Sequence, residues 1–411
     1  MKMKKILSIF TVAAMSLSLA SCSDWLEPEI IGGDPIKGGY FSGQQSSDEN
    51  NAYWAAIRAF KQSDHAISFG WYASWTPPEN NAFGTTGNSL TGLPDSMDMV
   101  TLWGWTEPLN TVNEIRKTDL RIAREERGLK VLFCHMCNNL GMYITPAKAE
   151  DDERDNLEYW QEYWQVNELG WEEACYRYGL AFGKWILDSG FDGIDLDYEP
   201  NFGHTGNLAS YKDRMQKFIE GLGQYLGPNV RKEGETVFTH GKVLMVDGEP
   251  QTLYSACGKY IDYYNIQSYS ISGSTGTPST LSDSDLDSRF RRLITTFGSG
   301  TECNESNEEI HRKVIWTDNL ENVDLHNGGW TYNRRNGEQT RSLRGFALWH
   351  YPGCENVRTG GAGAFKFEGC INRAPADPAF AGQWGYFRQM IQALNPAWTA
   401  DNDADNGEDE Q

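Results

Sequence analysis

Eight apolar runs separated by helix-like stretches limit what this 411-residue chain can become. They are "AISFGWYASW" (66–75), "MDMVTLWGW" (97–105), "LKVLFCHM" (129–136), "DGIDLDYE" (192–199), "KVLMVDGE" (242–249), "YYNIQSYS" (263–270), "RKVIWTDN" (312–319) and "RGFALWHY" (344–351). Several are continuously apolar, the pattern of strands covered on both faces. Between them lie amphipathic stretches such as "TVNEIRKTDLRIAREE" and "LASYKDRMQKFIEGLGQYL", and "GQWGYFRQMIQALNP" follows the last run. Strand and helix in alternation predict an α/β fold, and eight such pairs predict a (β/α)8 TIM barrel in a single catalytic domain. An open doubly wound sheet is the competing arrangement. In a barrel, chemistry gathers at the C-terminal strand ends. Glu199, Tyr269 and Trp349 all fall there.

The ends of the chain read differently. "MKMKKILSIFTVAAMSLSLASC" has a basic start, an apolar core and small residues before a cysteine, which marks residues 1–21 as a secretory leader. Its "LASC" ending resembles a bacterial lipobox, cleaved before Cys22, whose thiol then carries lipid. The expected location is therefore the bacterial outer membrane, with a lipid anchor and display at the cell surface. No other stretch approaches the length of a membrane span. Residues 22–60, Gly- and Ser-rich in large part, are expected to form a lipidated tether, residues 61–396 the barrel, and residues 397–411 an acidic disordered tail. The formal charge is −21, and loss of Lys2, Lys4 and Lys5 with the leader takes it by three units to −24. Such a chain excludes nucleic acid as a partner, because phosphate binding needs basic patches.

Seven cysteines remain beyond Cys22. Cys354 and Cys370 share a Gly-rich region and are a candidate pair. Cys134, His135 and Cys137 in "FCHMCNN" invite a zinc reading. Positions three apart on a strand face opposite sides, however, so buried strand cysteines are the better reading, and no metal or cofactor is implied.

"FDGIDLDYEP" (191–200) holds the densest chemistry. In an extended strand alternate residues share a face, roughly 6.5–7 Å apart. Asp195, Asp197 and Glu199 then point one way, and Ile194, Leu196 and Tyr198 the other. Three carboxylates cannot share one face unpaired without large cost, so they must share protons or accept hydrogen bonds. A solvated edge strand would also alternate. The apolar opposite face, and the helix-like "LAFGKWILDSG" stopping at Gly190, argue instead for an interior strand. Asp192, on the opposite parity, is read as a tie at the strand entrance.

At this point the residues resemble a family. "DGIDLDYE" is similar to the D-G-x-D-x-D-x-E signature on the fourth barrel strand of glycoside hydrolase family 18, which includes chitinases and endo-β-N-acetylglucosaminidases. The looser likeness runs from about residue 64 to 396 and is nearest the lipid-anchored members of gut Bacteroidetes. It implies a substrate-assisted mechanism, in which the substrate's own 2-acetamido group is the nucleophile. Glu199 would be general acid and then base, Asp197 would hold the acetamido N–H, and Asp195 would share a proton with Asp197. Gln267 and Tyr269 in "NIQSY", where Asn265 shares their face, resemble the Q-x-Y pair of the endo-acting members, whose tyrosine binds the acetamido carbonyl. Chitinases of the family more often carry M-x-Y-D there, and Ser270 stands in place of that Asp. Trp349 in "GFALWHY" would lie under the −1 sugar. Trp71, Tyr72, Trp103 and Trp105 line the cleft or pack the core.

The activity so implied is retaining endo-hydrolysis of the β-1,4 bond between two N-acetylglucosamines, above all in the chitobiose core of N-glycans. The partners would be a glycan or glycoprotein and, through Cys22, a membrane; a monomer is expected. A chitinase is the near alternative. A non-catalytic surface glycan-binding lipoprotein is the other, since "CSDWLEP" resembles the start of such proteins, but Glu199 and Asp197 are both present. The aromatic share of 13%, with 15 Trp, suits a protein that stacks on sugar rings.

Overall fold

The computed structural model describes residues 48–77, 88–269, 283–320, 334–335, 338–339, 343–371 and 383–396. The leader, Cys22, most of the tether, Ser270 and the acidic tail lie outside these residues. Eight parallel strands close into a barrel: β1 (Ile67–Tyr72), β2 (Met99–Leu102), β3 (Lys130–His135), β4 (Gly193–Tyr198), β5 (Val243–Gly248), β6 (Tyr263–Gln267), β7 (Val314–Asn319) and β8 (Gly361–Phe365). Their spatial order is β1-β8-β7-β6-β5-β4-β3-β2. A closed ring leaves no unpaired sheet edge, so the backbone polar groups of every strand are met by neighbours.

Two apolar layers hold this ring. Outward residues such as Phe133, Ile194, Leu196, Val246 and Trp316 pack against the helices. The helix Trp171–Asp188 shows how the pairing arises. Its buried Ala174, Tyr178, Phe182 and Ile186 recur at helical spacing, and it stops just before Gly190. The second layer fills the barrel itself with Ile67, Phe69, Trp71, Met99, Leu132, Val243, Met245, Tyr263 and Ile315, and Phe238 closes it from below. The interior is thus a packed plug, not a pore. Asp192 does tie down the entrance of β4: it accepts from Val131 N at 2.8 Å and pairs with Arg124 at 2.8 Å.

Three expectations change. First, "RGFALWHY" is not the eighth strand. It begins as the short helix Leu343–Ala347, and the strand is "GAGAF" further on. The reason is space. A Cβ at Gly361 would lie 2.2 Å from Ile67 O, and one at Gly363 only 2.1 Å from Phe69 O. Small residues are required where β8 closes against the bulky β1, and a Gly-rich segment reads as loop in sequence.

Second, the chain expected to be tether through residue 60 already contains the helix Asp48–Gln62. Trp54 and Ile57 are buried, the Arg127 guanidinium stacks over Trp54 at 4.7 Å, and Lys61 donates to Met97 O at 2.5 Å. This helix belongs to the folded body. Third, Cys354 is a free, buried cysteine, while the side chain of Cys370 is outside the described residues. Cys134 and Cys137 are also free and buried, and His135 turns toward the helices, with Nε2 2.8 Å from Tyr178 Oη.

Gly363→Ala is expected to cost more than about 2 kcal/mol, the scale of overpacking a filled interior. Denaturant unfolding read by tryptophan fluorescence measures it. A midpoint equal to that of the parent would contradict the close-approach account of β8.

Candidate active site

The C-terminal mouth of the barrel gathers acids above the apolar plug. Register explains why. Asp195 is the Cα partner of Cys134 on β3 and of Met245 on β5, while Asp197 pairs with Asp247, which pairs in turn with Asn265. Side chains at paired positions of a parallel sheet share a face, so Asp195, Asp197, Asp247, Asn265 and Gln267 all point inward. Glu199 follows β4 by one residue. Its side chain keeps 18% of its surface exposed, whereas Asp197 keeps 2%. The series runs from a dry interior to a group that a substrate can reach.

Each acid is held by a different device. Trp71 Nε1 donates to Asp195 Oδ2 at 2.7 Å. Gln267 Nε2 donates to Asp247 Oδ2 at 3.1 Å, and Thr317 Oγ1 donates to Asn265 Oδ1 at 2.9 Å. Oδ1 of Asp195, of Asp197 and of Asp247 is buried and makes no hydrogen bond among the described residues, although the Thr101 hydroxyl is near enough to Asp195 to favour its charged form. A buried carboxyl with an oxygen left without a donor favours its protonated form, and two of these groups show it. Burial, and then the charge of Asp197, pushes the Asp195 carboxyl well above its usual range. Burial pushes Asp247 up in the same way, with Asp195 and Asp197 adding to it. Glu199 is also raised, first by burial and then by Asp197, with His204 and Gln267 pulling the other way. Interacting sites of this kind titrate as a group.

Tyr269 follows β6 on the same inward parity. Burial raises its hydroxyl well above the ordinary value, so it stays a neutral donor. Its ring lies parallel to Phe365 at 6.5 Å between centroids, and Phe365 meets Trp103 edge-on at 5.0 Å. Phe365 therefore stands at the eighth strand end, where the sequence reading put Trp349. Trp349 is elsewhere: it is 2% exposed and packs on Trp316 at 5.0 Å and His311 at 5.7 Å, in the layer between barrel and helices. It follows from the shifted eighth strand that Trp349 cannot floor the cleft. Trp71 serves the site through Asp195, Tyr72 packs outward near Phe367 at 5.9 Å, and Trp105 lies against Trp75 at 5.1 Å.

Three site residues escaped the sequence reading. Asp247 was legible in principle, as the inward position at the end of β5, but a single acid on a strand carries no family pattern. Phe365 was hidden by its Gly-rich strand. His204 sits in a loop, where no periodicity points to it. Among the described residues, Asp197, Glu199 and His204 form the one trio whose ligand-type atoms all lie within 4.8 Å of one another, the spacing a divalent cation would need. His204 Nδ1 lies 3.4 Å from Asp197 Oδ2, which is already an imidazole–carboxylate pairing.

A sequence model described as glycoside hydrolase family 18, BT1044-like, matches residues 40–371. Endo-beta-N-acetylglucosaminidase F2 of Elizabethkingia meningoseptica is 27% identical over 220 residues. That match spans 51% of this chain and 53% of that protein, so the chain aligns with about half the length of this relative. Among solved structures, a selenomethionine glutamate-to-glutamine variant of BT1044 superposes with a TM-score of 0.62 at 25% identity, covering 85% of this chain and 94% of the other. An apo endo-beta-N-acetylglucosaminidase from Cordyceps militaris gives 0.47 at 19% identity, covering 84% and 96%.

Asp195 and Asp247 both ionise near 3.8 when unfolded and hold their protons to higher pH when folded. The folded chain binds the extra protons, so stability is largest near the lower value and falls as pH rises through the interval above it. Asp195→Asn with Asp247→Asn is expected to flatten that fall. Melting temperatures from about pH 4.5 to about pH 8 measure it; an unaltered slope would show that the two carboxyls are ordinary.

Proposed function

The chain belongs to glycoside hydrolase family 18, and on that premise we propose that it is an endo-acting, retaining hydrolase. Its bond would be the β-1,4 link between two N-acetylglucosamines, with the chitobiose core of N-glycans as the target. The observation that carries the reading is the placement of one reachable carboxyl, Glu199, at the end of a line of buried ones. All the acids of β4 lie on one side of the cleft, so none of them reaches the opposite face of a sugar to activate water there. The attack from that face falls to the substrate.

The chemistry follows atom by atom. The carbonyl oxygen of the 2-acetamido group attacks the anomeric carbon as the glycosidic C–O bond breaks, and Glu199 gives its proton to the leaving oxygen. Asp197 accepts from the acetamido N–H and opposes the positive charge of the oxazolinium. Tyr269 donates to the acetamido oxygen, and Gln267 holds Asp247 beside Asp197. Asp195 and Asp247, which hold their protons more tightly than ordinary carboxyls, stand beside Asp197. Phe365 offers an apolar face to the −1 sugar. In the second half Glu199, now a carboxylate, takes a proton from water, which opens the oxazolinium from the face the leaving group vacated. Two inversions give net retention.

The Q-x-Y pair formed by Gln267 and Tyr269 favours N-glycan over chitin. The resemblance of part of the chain to endo-beta-N-acetylglucosaminidase F2 supports the same choice. Digestion of high-mannose, hybrid and complex glycoproteins and of chitin oligomers, with mass spectrometry of the released sugars, tests it. Release of glycans ending in one N-acetylglucosamine is expected, and cleavage of chitin oligomers alone would make the chain a chitinase. Nuclear magnetic resonance of the fresh product should show the β-anomer first.

Glu199→Gln is expected to lower kcat by at least about 10³-fold with the fold intact, since it removes the acid of the first half-reaction and the base of the second. Asp197→Ala and Tyr269→Phe should lower kcat more than they raise KM, because both act on the developing oxazolinium, and Asp197 should matter more. Full turnover by the Glu199 variant would remove the assignment of the acid.

A further inference from the structure

We propose that His204 is a positioning residue of this hydrolysis: its ring fixes Asp197 toward the mouth and supplies the positive charge against which Glu199 exchanges its proton. The proposal rests on the reading of Glu199 as acid and base given above.

The loop after β4 is built to deliver this ring. Its backbone turns back on Glu199, whose carbonyl oxygen accepts from the amides of Phe202, Gly203 and His204 at 3.2, 3.3 and 3.1 Å. A Cβ at Gly203 would stand 2.9 Å from Glu199 Oε2, so a larger residue there would push the carboxyl from this position. The turn is pinned from β5: Asn201 donates through N and Nδ2 to the two oxygens of the buried Glu249, at 2.7 and 3.0 Å. His204 is thereby set with its side chain 16% exposed and Nδ1 3.4 Å from Asp197 Oδ2 and 3.9 Å from Glu199 Oε2.

The electrostatics give that position its consequence. Glu199 and His204 are faced by Asp197 on β4, Asp247 and Glu249 from β5, and the neutral Tyr269 after β6. Among the described residues, no lysine or arginine stands within ion-pair distance of Asp195, Asp197, Glu199 or Asp247. His204 is the basic side chain that does reach two of them, and Asp197, followed by Glu199, raises its proton affinity. A base in a nest of acids holds its proton too tightly to serve in both half-reactions. An adjacent opposite charge loosens it. Without His204, Glu199 would donate less readily, and Asp197 would lose the ion pair that aims it.

The test is the pH dependence of kcat for His204→Ala and His204→Asn, on whichever glycan the parent cleaves, with melting temperatures alongside. His204→Ala is expected to lower kcat by about tenfold with little change in KM, and to move the basic limb of the profile to higher pH, because the acid keeps its proton longer. His204→Asn keeps a polar N–H group at this position without the charge. Through that polar group near Asp197 Oδ2 it should recover part of the lost kcat, and it should leave the basic limb displaced. An unmoved limb, or one moved to lower pH, would overturn the proposal, as would a variant that loses only thermal stability. If His204→Ala does not fold, the Asn variant carries the same decision through its limb. Failure is separable from failure of the underlying reading: an inactive Glu199→Gln with an unmoved limb rejects His204 alone, whereas an active Glu199→Gln rejects the acid.

Discussion

Carboxyl groups stacked above an apolar plug cannot all be ionised, and the site depends on that constraint. Two unit charges 4 Å apart repel by about 4 kcal/mol even at an effective dielectric of about 20. Register brings Asp197 and Asp247 side by side on neighbouring strands, with Asp195 one inward position below. Trp71 and Gln267 each donate to one of the six carboxyl oxygens, His204 pairs with a third, and the remaining three make no hydrogen bond among the described residues. A barrel interior of Met, Ile, Phe and Trp makes this arrangement possible by excluding water from beneath. The same exclusion raises the proton affinity of Glu199 at the top of the stack.

Packing and chemistry share residues here. Trp71 is part of the plug and also the hydrogen-bond donor that orients Asp195. Phe365 ends a strand made almost entirely of Gly and Ala, because β8 must fit against β1, and so a single large side chain on that strand falls at the mouth. Glu249 is spent on holding the turn after β4, although its position next to the site would have suited an acid with a direct part. These dual uses leave little freedom for substitution near the mouth.

The strongest part of the sequence was the alternation in "FDGIDLDYEP". A period of two on a strand fixes which side chains share a face regardless of tertiary context, so Asp195 and Asp197 stand on one inward face and Asp192 does not. The helix stopping before Gly190 was equally local. Seven of the eight strand runs coincide with strands, because continuous apolar stretches have few other places to go. The eighth was misplaced, since "RGFALWHY" is apolar enough for a strand while "GAGAF" offers no apolar signal.

The sequence by itself determined the number and type of the layers and the inward face of β4. These follow from period and polarity, which are properties of a few neighbouring residues. Tertiary structure decided the rest. Only the closing of the ring could assign β8 to a glycine strand, move Trp349 out of the cleft and put Phe365 at its edge. Only the parallel pairing of β4 with β5 set Asp247 beside Asp197, and only a turn pinned by Glu249 carried His204 back to both carboxyls. Contacts of this kind depend on which segments lie side by side in space, and the spacing of residues along one segment carries no record of that.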